Sequence, residues 1–473
     1  MIETLDILII LLYLCGIFTL AFLSGRKETG KGLVEDQYLA GKSLTFWESL
    51  GSIIATEVSA LTFLGIPAFA FGKDYSFVQI YMGAIFGRII IARLMLPLVY
   101  DKGITVYSVM AKMGNPGGQK AIAIFYSINK FLAVGVRLFS GSILVAQFFQ
   151  VNIYLAVFLI CVVTFFYTLI GGLKAVVRTD MAQMLLFIFG GLMAHYLIPQ
   201  VANQTWSELI SMATLAGKTT ILDLSNPGLV LIGIAGGILF DMATHGVDQD
   251  FVQRLTGNSS IKSAQKAIFL SSFVSIAVGL LFLSIGALLW AYYQSNAHPG
   301  VADDQIFAYF ITNHFPAGIK GLMVAGVLAA TMSTLDSTIN ALSSTLYNDI
   351  LKHEATQKEE IGKLYKKDTL LITIGLMIIA FIASSSEGLL VFGLKITSWT
   401  AGSLLAVFFA TLVFKIARLT AINVIIAYAF GVLGVYLNTF HLNLNWNWNV
   451  YLGFGLASLA LYIKAKFVKP KAP

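Results

Sequence analysis

Apolar runs of about twenty residues recur along the whole chain, separated by short polar segments. A helix needs about 20 apolar residues to cross the hydrocarbon of a bilayer. On that measure thirteen candidate spans stand out: 5–25, 45–71, 77–99, 121–150, 153–171, 179–199, 227–252, 267–293, 321–347, 369–384, 389–413, 420–439 and 448–464. They are numbered 1 to 13 in chain order. The longest stretches between them, 200–226 and 294–320, are too short for a soluble domain, and the second has room for a surface helix at 303–313. Span 1 follows Met1-Ile2-Glu3-Thr4, without the basic region or small-residue cleavage site of a signal peptide.

Composition agrees with a bilayer. Apolar residues make up 57% of the 473 and charged residues 12%, against about 25% charged in soluble domains. Cys15 and Cys161 lie inside apolar runs and form neither a disulfide framework nor a metal site. The six histidines show no ligand spacing, and no cofactor is expected. A net charge of +7 raises the question of nucleic acid, but the basic residues are spread among the connecting segments. With the N-terminus outside, the inside segments hold 23 Lys and Arg, and the outside segments hold 3 (Lys73, Lys218 and Lys320). That bias predicts thirteen spans, N-terminus out and C-terminus in, with no nucleic-acid partner.

The other basic residues lie within spans: Arg88, Arg93, Lys130, Arg137 and Lys395. Charge inside a membrane is costly and marks function by default. The structural alternatives are snorkelling at a helix end and an internal ion pair. Arg93 reads as snorkelling. Lys130 and Arg137, seven apart, share one face of span 4. Arg137, near mid-span, calls for a solute or a carboxylate, and Glu57 is the candidate partner.

Three spans are polar where lipid would not allow it. Span 2 reads Ser52-Ile53-Ile54-Ala55-Thr56-Glu57-Val58-Ser59-Ala60-Leu61-Thr62, a patch that predicts a broken helix. Irregular backbone at that depth is tolerated only along a cavity. Span 7 carries Gly233, Gly236, Gly237 and Asp241, which predict a second break and an acid in need of a partner. Spans 2 and 7 lie five apart, as in an inverted repeat of spans 2–6 and 7–11. On span 9, Ser333, Asp336, Ser337 and Asn340 form one polar face whose oxygens suit a hard cation such as sodium. The alternative there is a hydrogen-bonded helix interface.

Four segments in order resemble the sodium/solute symporter family of sodium–sugar, proline, iodide and sialic acid transporters. They are Asp36-Gln37-Tyr38-Leu39-Ala40-Gly41-Lys42-Ser43-Leu44, Ile170-Gly171-Gly172-Leu173-Lys174-Ala175-Val176-Val177-Arg178-Thr179-Asp180, Gly246-Val247-Asp248-Gln249-Asp250-Phe251-Val252-Gln253-Arg254 and the Ser/Thr-rich span 9. The resemblance covers essentially the whole chain. It implies an all-α, leucine-transporter-like fold with a five-plus-five inverted repeat: 1–44 a leading helix and loop, 45–199 the first repeat, 200–226 an outer loop, 227–413 the second repeat and 414–473 the flanking helices and tail. It also implies a sodium site built from the carbonyls of Ala55, Val58 and Ala330 and the hydroxyls of Ser333 and Thr334. A second sodium position falls on Asp180 and Ser337, with Asp336 beside them as a further candidate ligand. Asp336 stands where the family has a small hydroxyl residue, which opens both the stoichiometry and the choice of ion. The sialic-acid-type solute pattern falls on Ser59, Thr62, Gln79 and Arg137. Glu57 departs from a hydroxyl residue there and stands as a further solute contact, and Phe240 is a residue to close over the solute.

The expected function is therefore sodium-coupled symport of a small organic solute by alternating access. The leading solute is a carboxylated sugar or other small organic acid, and the setting is a bacterial inner membrane, with the protein a monomer or weak oligomer. Its rivals are a proton-coupled symporter that titrates Asp180 or Asp336, and a membrane sensor that binds solute without moving it. No enzyme is expected, because no metal-ligand cluster, nucleophile–base pair or phosphate loop is visible.

Overall fold

The computed structural model describes residues 3–24, 33–113, 117–169, 172–352, 358–383, 389–416, 419–442 and 444–467. Parts of the expected inside segments (25–32, 353–357 and 417–418), the tail beyond 467 and Ile170-Gly171 of the second motif lie outside the described residues. The described chain is helical, with one isolated bridge between Leu44 and Asn258.

Helices occupy each of the thirteen expected positions. Among the described residues nine are long and apolar enough to cross a membrane, or ten when the bent pair in span 2 is taken as one. The other positions hold Ile153–Thr168, apolar but 16 residues long, and Lys358–Ala383 and Trp448–Phe467. Several helices outrun their apolar stretch. Span 6 begins at Gly172, span 8 at Ile261 and span 10 at Lys358, so segments read as loops are largely helical. Hydropathy marks the lipid-facing length, whereas backbone hydrogen bonding continues past it. A helix falls at Asp303–His314, as expected, but it is not a surface helix: Ile306, Phe307, Phe310 and Ile311 are fully buried, with Phe307 stacked on Phe63 of span 2. A more exposed helix lies at Trp206–Leu215. Arg93 and Lys395 are both exposed on their helices.

Span 9, Ile319–Thr345 with a further turn to Ile350, runs through the centre and is buried along almost its whole length. Span 1, Thr4–Ser24, packs against it and turns Leu5, Leu8, Leu12 and Leu23 outward, where lipid would cover them. The buried Asp6 carboxylate accepts from the amides of Gly318 and Gly321 at 2.7 and 2.8 Å, and so satisfies the first turn of span 9.

Span 2 breaks where expected. Phe46–Glu57 (2a) and Leu61–Gly72 (2b) meet at 59°, with Val58 extended. The Ser59 amide donates to the Thr62 hydroxyl at 3.2 Å, a local bond that replaces a helical one.

Span 7 corrects the expectation. Pro227–Gly246 (7a) is continuous through the glycines, and the interruption falls at Val247-Asp248, before Gln249–Thr256 (7b). The glycines serve packing instead. A Cβ on Gly237 would lie 2.3 Å from the Ile80 carbonyl, and one on Gly83 of span 3 would lie 2.0 Å from that of Ile234. Spans 3 and 7a thus meet backbone to backbone, the use membrane helices make of small residues.

The motifs converge at one end of the bundle. Gly172, at φ +47°, has no room for a Cβ beside the Gln37 carbonyl, and Lys174 donates to Ser43 at 2.9 Å. Leu44 exchanges backbone hydrogen bonds with Gly257 and Ser259, just after 7b. Residues far apart in sequence thereby fix one end of spans 2, 6 and 7 against each other.

Candidate functional site

The broken end of 2a faces span 9. Ala55, Val58, Ala330 and Ser333, four of the five proposed sodium ligands, line one small crevice together with Gln183, Met184 and Phe187. The Ser333 hydroxyl lies 3.4 Å from the Ala55 carbonyl and bonds Asp180 of span 6. The fifth residue, Thr334, donates to the Ala330 carbonyl at 3.0 Å. A carbonyl freed by a helix break beside a hydroxyl is the oxygen-rich setting a hard cation needs.

One helical turn along lies a knot of charge. Asp180 accepts from Ser52 at 2.6 Å and from Arg254 of 7b at 3.3 Å. Arg254 also bonds Ser52 (2.7 Å), the Asp250 carboxylate (2.6 Å) and carbonyl, and Ser337. Lys130 of span 4 reaches Asp248 at 2.8 Å and Asp250 at 2.9 Å. Asp336 takes the Tyr167 hydroxyl on one oxygen, while the other is buried without a partner among the described residues.

A second knot sits beside the break. Glu57 pairs with Arg88 of span 3 at 2.7 Å, not with Arg137 as expected. Arg88 is fully enclosed and reaches Asp241 (3.2 Å), Ser271 (2.6 Å), Ser275 (3.3 Å) and His245 (3.3 Å) as well. Ser275 donates to the same Glu57 oxygen at 2.6 Å. The partner that Asp241 required is thus Arg88, with His245 at 3.1 Å beside it. Sequence reasoning counted Arg88 among the charges within spans and gave it no role. The signal was there, since Glu57, Arg88 and Asp241 are three charges that lipid would not accept singly.

Arg137 stands apart. It is half-buried and makes no hydrogen bond or ion pair among the described residues. Its neighbours on the same face of span 4 place it. Lys130 is held by Asp248 and Asp250 at the span 7 break, and a Cβ on Gly141 would touch Ala60 at the span 2 break and Thr331 on span 9. Arg137 lies between these contacts, in the field of Asp248, Asp250 and Glu57. Of the other proposed solute contacts, Ser59 and Thr62 flank the span 2 break. Gln79 abuts Gly233 of 7a and donates to the Ile221 carbonyl at 2.8 Å. Phe240 packs edge-on against Trp446, ring centres 5.8 Å apart, which ties it to the start of span 13.

The profile of the sodium:solute symporter family matches residues 37–425. The chain belongs to that family. Among its relatives, the sodium/glucose cotransporter of Vibrio parahaemolyticus is 26% identical over 81% of this symporter and 75% of the relative. The mouse sodium-coupled monocarboxylate transporter 2 is 27% identical over 82% and 65%. The sodium/sialic acid symporter NanT of Aliivibrio fischeri is 23% identical over 79% and 75%. A substrate-bound, outward-open structure of a Na⁺-coupled sialic acid symporter superposes with a TM-score of 0.86 over 99% of both chains, at 21% identity. A nucleobase-cation-symport-1 family transporter superposes with a TM-score of 0.58 over 94% of this chain and 97% of that one, at 14% identity. The fold is therefore leucine-transporter-like, and the symporter is an integral, multi-pass membrane protein that couples sodium to a small solute.

Proposed function

We propose that this symporter carries a small organic acid, gripped through its carboxylate by Arg137. The observation that carries the reading is the contrast among three arginines inside the bundle. Arg88 and Arg254 each engage five partner atoms, whereas Arg137 engages none among the described residues. A guanidinium offers five N–H donors in a fixed fork that matches a carboxylate. Left unused between two helix breaks, it suits a solute anion. Two of the three relatives above are named for acids, sialic acid and a monocarboxylate. Ser59 and Thr62 then offer hydroxyls at the break to the rest of the solute, with Gln79 and Glu57 at its rim.

Sodium takes the carbonyls of Ala55, Val58 and Ala330 with the hydroxyls of Ser333 and Thr334. It orders 2a against span 9 and so raises affinity for the solute, and linkage makes the reverse true. Rocking of the two repeats then opens the site inward, with the N-terminus outside and the C-terminus in the cytoplasm of a bacterial cell. A proton-coupled reading keeps one foothold, Asp336, which no cation bonds among the described residues.

A thermal-shift screen of the purified protein tests this. It crosses sodium, potassium and choline with sugars, amino acids, monocarboxylates and sialic acids, since ligands of the native state raise its melting temperature. The expected result is a shift by an acid in sodium alone. Arg137→Gln should weaken that acid roughly 10- to 100-fold, the value of a charge-assisted hydrogen bond. Unchanged affinity in Arg137→Gln refutes the clamp, and equal shifts in all three cations refute sodium.

A further inference from the structure

The groups that meet Glu57 all use one of its oxygens. Arg88 donates to Oε2 at 2.7 Å, Ser275 donates to it at 2.6 Å, and the His245 ring lies 3.7 Å from it. Oε1 takes no bond among the described residues. It is not sealed in either: the Glu57 side chain is 16% exposed, against 0% for Arg88 and 4% for Asp241. Asp241 Oδ2 is buried without a partner, whereas Glu57 Oε1 reaches open space. Arg88 cannot yield, because it is fully enclosed and its other donors are held by Asp241, Ser271 and Ser275. The carboxylate is thereby fixed in rotation, with Oε1 left over at the last residue of 2a, beside the break. Arg137 stands in the field of Glu57 from another part of the bundle. Glu57 is tied to spans 3, 7 and 8, and span 4 packs on spans 9, 10 and 11.

We propose that Glu57 Oε1 makes this symporter select acids that carry a hydrogen-bond donor, a hydroxyl or an ammonium group, besides the carboxylate gripped by Arg137. The inference rests on that clamp and names the class of acid it takes. A hydroxyl residue at this place could donate as well as accept, but an ionised carboxylate only accepts. A solute with a donor satisfies Oε1 as it enters. A plain monocarboxylate strips the water from Oε1 and leaves it unpaired, the mismatch by which a site rejects an analogue that lacks a hydroxyl or amine. A hydrogen bond to a charged group makes the preference about 10- to 100-fold. The favoured solute also bridges the two sets of helices, donor end on Glu57 and carboxylate on Arg137, which a plain acid does not.

Matched acids test the proposal, each titrated against the melting temperature of the purified full chain in sodium. The sets share a skeleton: propionate, lactate and alanine; hydrocinnamate, phenyllactate and phenylalanine; hexanoate and gluconate. Within a set that binds, the hydroxy or the amino acid should act at a concentration about 10- to 100-fold below that of the plain acid, and those two arms tell which donor the site takes. Glu57→Gln keeps the size of the side chain but, with its carbonyl toward Arg88, presents a donor in place of the acceptor, so the preference should vanish. Arg137→Gln should weaken every member of a set alike and keep the ratio. Loss of the clamp and loss of the selection are thus read apart. A plain acid that binds as tightly as its hydroxy and amino counterparts overturns the proposal, and so does a preference that survives in Glu57→Gln. If that variant fails to fold, the wild-type ratio decides. If no acid of any set binds, the acid reading falls and this inference with it.

Discussion

Replacing Arg88 by Met should both unsettle the fold and weaken sodium binding, and the structure gives the size. The side chain is fully enclosed and holds two carboxylates, Glu57 and Asp241, besides two serines and a histidine. Met is close in length, so the loss is electrostatic rather than one of volume. Removing one partner of a buried ion pair typically costs about 3–5 kcal/mol. Glu57 is the last residue of 2a and lies between Ala55 and Val58, whose carbonyls are the proposed sodium ligands. If ~1.4 kcal/mol of the cost falls on the break, sodium affinity drops roughly tenfold. Unfolding in mixed detergent micelles measures the first quantity and sodium-dependent thermal shift the second. In the double variant Arg88→Met/Glu57→Gln one stranded charge is relieved, so the two changes should couple by roughly 1–3 kcal/mol. Additive effects, or a cost below about 0.5 kcal/mol for Arg88→Met, would refute the view that this cluster holds the broken helix.

Other consequences are simpler. Ser333→Ala removes a hydroxyl ligand and should raise the sodium concentration at half-effect about 5- to 10-fold, the worth of a hydrogen bond of ~1 kcal/mol, and should also lower the melting temperature in choline, because one oxygen of the buried Asp180 loses its donor; equal sodium dependence would move the ion elsewhere. Gly237→Val places a Cβ 2.3 Å from the Ile80 carbonyl, so spans 3 and 7a must part, at a cost of about 1–3 kcal/mol or more. A variant as stable as the wild type would mean that the helices do not meet there.

The spans were legible in the sequence because lipid imposes a one-dimensional rule, an apolar run of fixed length. The break in span 2 was legible for the same reason, as a polar patch where that rule forbids one. What sequence could not resolve was pairing across helices. Glu57 was assigned to Arg137 when its partner is Arg88, and both are intramembrane arginines that only the packing of spans 2, 3, 7 and 8 distinguishes. Arg254 was counted as a loop charge because it follows an apolar run, yet it is buried in 7b. The glycines of span 7 carry two meanings, freedom for a broken backbone and room for a close neighbour. Only the facing Gly83 and Ile80 decide between them, and they decide for the second. The family motifs, far apart in the sequence, do not show that they touch.

The most direct test of sodium-coupled transport of an acid is uptake into proteoliposomes. The acid identified by thermal shift is supplied outside, with an inward sodium gradient or with choline in its place. The account predicts accumulation above the outside concentration that needs the sodium gradient and is lost in Arg137→Gln. Accumulation that persists in choline and follows a pH gradient would contradict it and transfer the coupling to a proton.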